Sequence, residues 1–202
     1  MIKRLAVTKP QSSPMVLKYT DVRSYVFTAA FISLDVFTPW LFHQFYLAGP
    51  TFLPMHIFVL LAGLLFGWRA GLVVGLFTPL VSYAISGMPV LAILPQIIVE
   101  LSIYGLIAGI LREKFNLRVI WSLTGAMIAG RLALFLVVVL IIQLGGQIHS
   151  PLGLETNPSA VLWSTIKQGW LGVVIQLASV PLMVWLLERF VLKNSRRLNT
   201  FK

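Results

Sequence analysis

The sequence predicts an all-α integral membrane protein of six transmembrane helices, with its N- and C-termini in the cytoplasm. Composition, six apolar segments and the placement of the basic residues carry that expectation. Of 202 residues, 58% are hydrophobic and 11% charged, with a mean hydropathy of +0.90, against roughly 45–50% apolar and 25% charged in soluble domains. That balance excludes a soluble globular enzyme. At about 1.5 Å per residue across about 30 Å of hydrocarbon, the chain has length for about six or seven spans and short loops, and none for a soluble catalytic domain.

The apolar segments run over Ser24–Leu47, Phe52–Gly67, Ala70–Ser86, Ala92–Leu111, Val119–Leu144 and Ala160–Leu187. Turn chemistry separates them: Gly49-Pro50, the stretch from Gly67 to Gly71, Gly87-Met88-Pro89, the charged run Arg112–Arg118, and Gly145–Ser159. The second and third segments are short, and a single tilted helix over Phe52–Ser86 is the alternative to a hairpin. Basic residues decide between the two. With six spans and the N-terminus inside, the cytoplasmic side receives Lys3, Arg4, Lys9, Lys18 and Arg23, then Arg69, then Arg112, Lys114 and Arg118, and finally Arg189, Lys193, Arg196, Arg197 and Lys202. Merging the two segments would put the later basic clusters outside, against the positive-inside rule. The external connections Ala48–Thr51, Gly87–Leu91 and Gly145–Ser159 then hold no Lys or Arg.

The net charge of +10 is therefore an orientation signal, and a nucleic-acid role is not expected. Residues 1–23 read as a retained basic cytoplasmic segment without the continuous apolar core of a signal peptide. Residues 24–190 read as the six-helix transmembrane domain, and residues 191–202 as a basic cytoplasmic tail. The absence of cysteine excludes disulfides, thiolate metal sites and cysteine nucleophiles.

Four ionisable residues fall within spans: Asp35, Glu100, Arg131 and Lys167. Charges at such depth face a protein interior or a wet cavity, which makes each a functional candidate. By helical rise, Glu100 lies about 12 Å and Lys167 about 10 Å below the outer edge, while Asp35 and Arg131 lie about 18–20 Å deep. Matching depths predict two pairs: a structural ion pair of Asp35 with Arg131, and Glu100 opposite Lys167. Gln96, Glu100 and Tyr104 recur at i, i+4, i+8, and Trp163, Lys167 and Trp170 at i, i+4, i+7, so each set forms one helical stripe. Such stripes line a small-molecule pocket open to the outside, or they form a plain interhelical salt bridge with interfacial tryptophans. His56, at the outer start of the second span, caps a pocket or sits at the interface. With His43 and His149 it has no partner at metal-ligand spacing, so no metal site is expected. The Gly145–Ser159 stretch is a lid or a passive connector.

No phosphate-binding loop, Gly-x-Ser-x-Gly elbow or His-Glu-x-x-His occurs, so the chain is not expected to be an enzyme or to carry a cofactor. Uphill movement of a solute would need a partner or an ion gradient.

The stretch Gly49–Gly67 (GPTFLPMHIFVLLAGLLFG), then Gly71, Gly75, Pro79 and Gly87-Met88-Pro89, together with Glu100–Gly109 (ELSIYGLIAG), resembles the S component of energy-coupling factor (ECF) vitamin transporters. The resemblance covers Ser24–Arg112, while the last two spans match in length and character. It implies a membrane subunit that captures a vitamin or its precursor on the outer side and docks onto a T component bearing two cytoplasmic ATPases. Release to the inside follows when the S component topples in the membrane. It also implies a prokaryotic plasma membrane and an Ala-x-x-x-Ala contact motif on the first helix. Here the corresponding step runs from Ala29 to Ser33, which still permits close helix approach. Nickel and cobalt relatives carry histidine at position two, where this chain has Ile2, so a metal substrate is not expected.

The combined reading places Gln96, Glu100, Tyr104, Trp163, Lys167, His56 and Arg131 at the substrate and Ala29 and Ser33 at the partner. Its rivals are an autonomous proton-coupled secondary transporter using Asp35 or Glu100, a non-transporting scaffold of the cell envelope, and, third, a membrane enzyme.

Overall fold

The computed structural model describes residues 22–44, 54–146, 148–150, 153–155 and 157–199. Six helices follow one another: α1 Val22–Gln44, α2 Pro54–Phe66, α3 Trp68–Ser86, α4 Leu94–Glu113, α5 Val119–Gln143 and α6 Pro158–Asn199. Four stretches are long and apolar enough to cross a membrane: Trp68–Ser86, Leu94–Glu113, Val119–Gln143 and Pro158–Arg189. Tyr25–Pro39 and Met55–Phe66 are shorter apolar helices. The expected spans coincide with the six helices, with two differences of extent. The break around Gly67–Gly71 shrinks to Gly67 alone, and α6 runs on to Asn199 through most of the expected tail. The Gly145–Ser159 connection, expected as lid or plain connector, contains an antiparallel hairpin of β1 Ile148–Ser150 and β2 Gly153–Glu155. The basic N-terminal segment to residue 21 and the Ala48–Thr51 connection lie outside the described residues.

Lipid reverses the usual sorting of side chains. Leu132, Leu136 and Leu140 form an outward stripe on α5, and Leu76, Phe77 and Leu80 face outward on α3. The interior holds Asp35, His56, Thr78, Gln96, Glu100 and Gln176 among its apolar residues. α2 is the most enclosed element. From Val59 to Phe66 every residue is buried, as its uniformly apolar sequence requires. At about 20 Å it is short for a full crossing.

α4 is the centre of the bundle, packed on α2, α3 and α5, while α1 lies on α2 and α3 and α6 lies on α5 and α2. Glycine makes that centre possible. A Cβ on Gly71 would overlap the Gly105 carbonyl, and one on Gly105 would overlap the Gly71 carbonyl. Gly63 meets the same Gly105 carbonyl from α2. The sequence sets this up through symmetry about the turn. Gly63 and Gly71 each stand four residues from Gly67, whose φ of 93° belongs to the region glycine alone enters freely. The Gly67 amide donates to the Gly63 carbonyl and the Gly71 amide to the Gly67 carbonyl, both at 3.1 Å. The reversal thus keeps its backbone groups satisfied, as the hydrocarbon region demands.

Aromatic rings tie α1 to this core. Phe31 meets Phe66 edge-on at 5.2 Å and Phe58 at 6.1 Å, and Phe27 stacks on Phe66 at 5.1 Å. At one end of the bundle, Arg112 pairs with Glu188 of α6 at 3.0 Å, and the Trp68 amide at the start of α3 donates to Glu113 at 3.2 Å. A carboxylate there satisfies a free helix N-terminal amide and complements the helix dipole.

Gly105→Ala is expected to lower the melting temperature of the detergent-solubilised protein sharply. Overpacking costs about 1–3 kcal/mol, and a backbone neighbour that cannot rotate away places this change at the upper end. Leu132→Ala on the outward face of α5 is expected to shift the same thermal transition little.

Candidate functional site

Three helices bring five polar or aromatic side chains together. α4 supplies Gln96, Glu100 and Tyr104 at four-residue spacing, so they stand one above another on one face. All three are buried, Gln96 at 4% exposure. α5 supplies Arg131, whose guanidinium meets the Glu100 carboxylate at 2.8 Å, with side-chain exposures of 14% and 5%. α2 supplies His56, whose ring meets the Tyr104 ring edge-on at 5.1 Å. The Tyr104 hydroxyl faces the Glu100 carboxyl. Gly130 makes the room, because a Cβ there would stand 2.7 Å from the Tyr104 ring.

The pairing corrects the depth argument. Arg131 joins Glu100, and the expected Asp35–Arg131 and Glu100–Lys167 pairs do not form. α4 and α5 are joined by a short turn, and register must be counted from it. Glu100 stands 13 residues before Glu113 and Arg131 stands 12 residues after Val119. Both therefore lie about 18–20 Å from the turn. Counting α5 from its other end misplaced Arg131 because that 25-residue helix is longer than the membrane is thick. Asp35 follows from neighbour order. α1 packs on α2 and α3, so the fully buried Asp35 accepts a hydrogen bond from Thr78 of α3 at 3.3 Å.

The stripe on α6 is real and faces the other way. Trp163 and Trp170 are each 59% exposed, Lys167 is exposed, and its ammonium lies 5.3 Å over the Trp163 ring. The face of α6 turned inward carries Val161, Ser164, Gln176, Val180 and Val184. A lysine lying along a tryptophan at a lipid-facing surface is an interfacial arrangement, and Lys167, Trp163 and Trp170 stand apart from the cluster. The side chains of His43 and His149 lie outside the described residues. No group of His, Cys, Asp or Glu able to hold a metal ion occurs among the described residues.

Ala29 and Ser33 lie on the exposed face of α1. The Ser33 hydroxyl donates back to the Ala29 carbonyl at 2.9 Å, so this small-residue face offers no unsatisfied donor to lipid or to a neighbour. Sequence reading missed Thr78 and Gly130. Gly130 directly before an intramembrane arginine was the available signal for a ring seated beside it; Thr78 is one of many hydroxyls, and nothing in the pattern distinguished it.

Compared with known families, residues 24–184 match the model of the ECF transporter, substrate-specific component. The chain belongs to that family. The match reaches from α1 through most of α6 and takes in the whole cluster. No curated protein and no solved structure matches the chain. As an ECF substrate-specific component it is an integral membrane transport subunit, not an enzyme, whose family works with T and ATPase components on a small-molecule substrate.

Arg131→Ala is expected to destabilise this S component strongly, by about 3–5 kcal/mol, because it strands a buried carboxylate. Lys167→Ala is expected to stay within about 0.5 kcal/mol. Thermal unfolding of the two purified variants side by side measures the contrast, and equal effects would remove Arg131 from its place as the buried partner.

Proposed function

We propose that this S component captures a vitamin or related micronutrient from the outer side of a prokaryotic plasma membrane and delivers it inward with a T component and two ATPases. The substrate meets Gln96, Glu100, Tyr104, Arg131 and His56. The observation that carries the reading is the buried convergence of Glu100 and Arg131 with two aromatic rings from α2 and α4. Paired charge and flat apolar surface together hold a small heteroaromatic molecule by orientation and by packing. The termini are cytoplasmic on this reading, because that orientation puts Arg69, Arg112, Lys114, Arg118 and Arg189 inside. The exposed Ala29–Ser33 face of α1 meets the T component, where small residues let helices approach closely.

Mass spectrometry of small molecules that copurify with the detergent-solubilised chain identifies the substrate. Proteoliposomes holding the chain with its T component and ATPases are expected to accumulate that molecule when ATP is supplied on the ATPase side, and Arg131→Ala is expected to lower its retention at least about tenfold. Lys167→Ala is expected to retain it as the native chain does. Uptake by the chain alone, abolished by collapsing a pH gradient, would replace this reading with an autonomous secondary transporter.

A further inference from the structure

The cluster carries a charge count and a hydrogen-bond count, and together they select a substrate class. This step rests on the capture reading above and adds what the captured molecule presents to the cluster. Glu100 and Arg131 neutralise one another at 2.8 Å. On Gln96 and Arg131 the atoms left without a hydrogen-bond partner are donors. The Gln96 Nε2 and the Arg131 Nη2 are buried without a hydrogen-bond partner, and Gln96 is more than nine-tenths buried. A buried donor left without a partner pays its desolvation with nothing in return. A ligand that fills this need brings acceptors.

It does not bring charge. A carboxylate or phosphate entering beside Glu100 adds a second negative charge to a neutral pair in a low-dielectric interior, where like charges repel strongly and desolvation is costly. A carbonyl oxygen satisfies Arg131 and Gln96 without that cost, and an adjacent N–H can donate to Glu100. We propose that the cluster recognises an uncharged carbonyl-bearing end of the substrate, an amide, lactam or imide, and discriminates against a carboxylate or phosphate at that end. Glu100 is the residue that sets this preference, since it alone holds the net charge of the cluster at zero.

Purified full-length chain in lipid nanodiscs is mixed with equimolar riboflavin, nicotinamide, uracil, nicotinate, isonicotinate and benzoate, and retained compounds are quantified by mass spectrometry. The native chain is expected to retain one of the first three over each of the three carboxylates by at least about tenfold. Glu100→Gln leaves the cluster with a net positive charge and is expected to swing the ratio at least about tenfold toward the carboxylates. The double variant Glu100→Gln with Arg131→Gln returns the cluster to neutrality and is expected to restore the preference for the uncharged compounds, at weaker retention. It also keeps the test open where the single variant folds poorly. A native chain that prefers a carboxylate, or a preference that both variants leave unchanged, overturns the inference. Retention of none of the six overturns it too, whereas the capture reading itself falls only on the uptake assay.

Discussion

The backbone contact of Gly71 with Gly105, joined by Gly63, is the constraint on which the arrangement of the other helices depends. Lipid tails are as apolar as leucine, so burying leucine between helices gains little in a membrane, and association rests on close van der Waals packing. Glycine supplies it by removing the side chain between two backbones. Once α2 and α3 are drawn onto α4 in this way, α4 becomes the centre of the bundle. His56 on α2 then reaches the Tyr104 ring, since His56 and Gly63 are seven residues apart and share a helix face. α5 is free to take the other flank of α4, where Gly130 admits the same ring and the next residue, Arg131, reaches Glu100.

A buried ion pair is a poor stabiliser. The desolvation of both ions offsets most of their attraction, and apolar replacements of similar volume are often as stable or more so. Glu100 and Arg131 are therefore hard to explain as a structural rivet, the more so because glycine contacts already hold α4 in place. Asp35 differs. Its neighbour is a hydroxyl from Thr78, and Pro39, four residues on, removes the amide that would otherwise bond the Asp35 carbonyl within the helix. The two carboxyl groups thus sit in unlike surroundings: one is matched by a cation, the other by a hydroxyl beside a proline-interrupted turn.

Much of this was legible in the sequence because membranes constrain length and charge so tightly. All six helices were readable from apolar runs and turn residues, and the hairpin of α2 and α3 followed from the positive-inside rule despite its short first arm. Five members of the cluster, Gln96, Glu100, Tyr104, Arg131 and His56, were readable as candidates from intramembrane polarity. Their pairing was not. Depth says how far along its own helix a residue sits, while pairing depends on which helices are neighbours and how far each overhangs the membrane. Nothing in a helical stripe tells whether it turns inward, so the aromatic stripe of α6 was legible as a stripe and illegible as a lipid-facing one. The β1–β2 hairpin escaped because three-residue strands leave no periodic signal.

The intramembrane charges sum to zero in sequence, two acidic against two basic, and the sum conceals how they are compensated. Neutrality in a low-dielectric medium is enforced by contact and not by total, since the attraction of two ions falls with distance while the desolvation of each is a local cost. Glu100 and Arg131 meet that requirement by direct contact. Lys167 meets it by leaving the interior, with its long stem along Trp163 at the exposed surface. Asp35 meets it with hydrogen bonds from the Thr78 hydroxyl and the Phe58 backbone. A neutral pair, a surface cation and a carboxyl held by hydrogen bonds are three separate solutions, and of the three the neutral pair alone lies against the two rings that can hold a flat ligand. The proposed placement of the substrate at α4 and α5, and not at α1 or α6, rests on that difference.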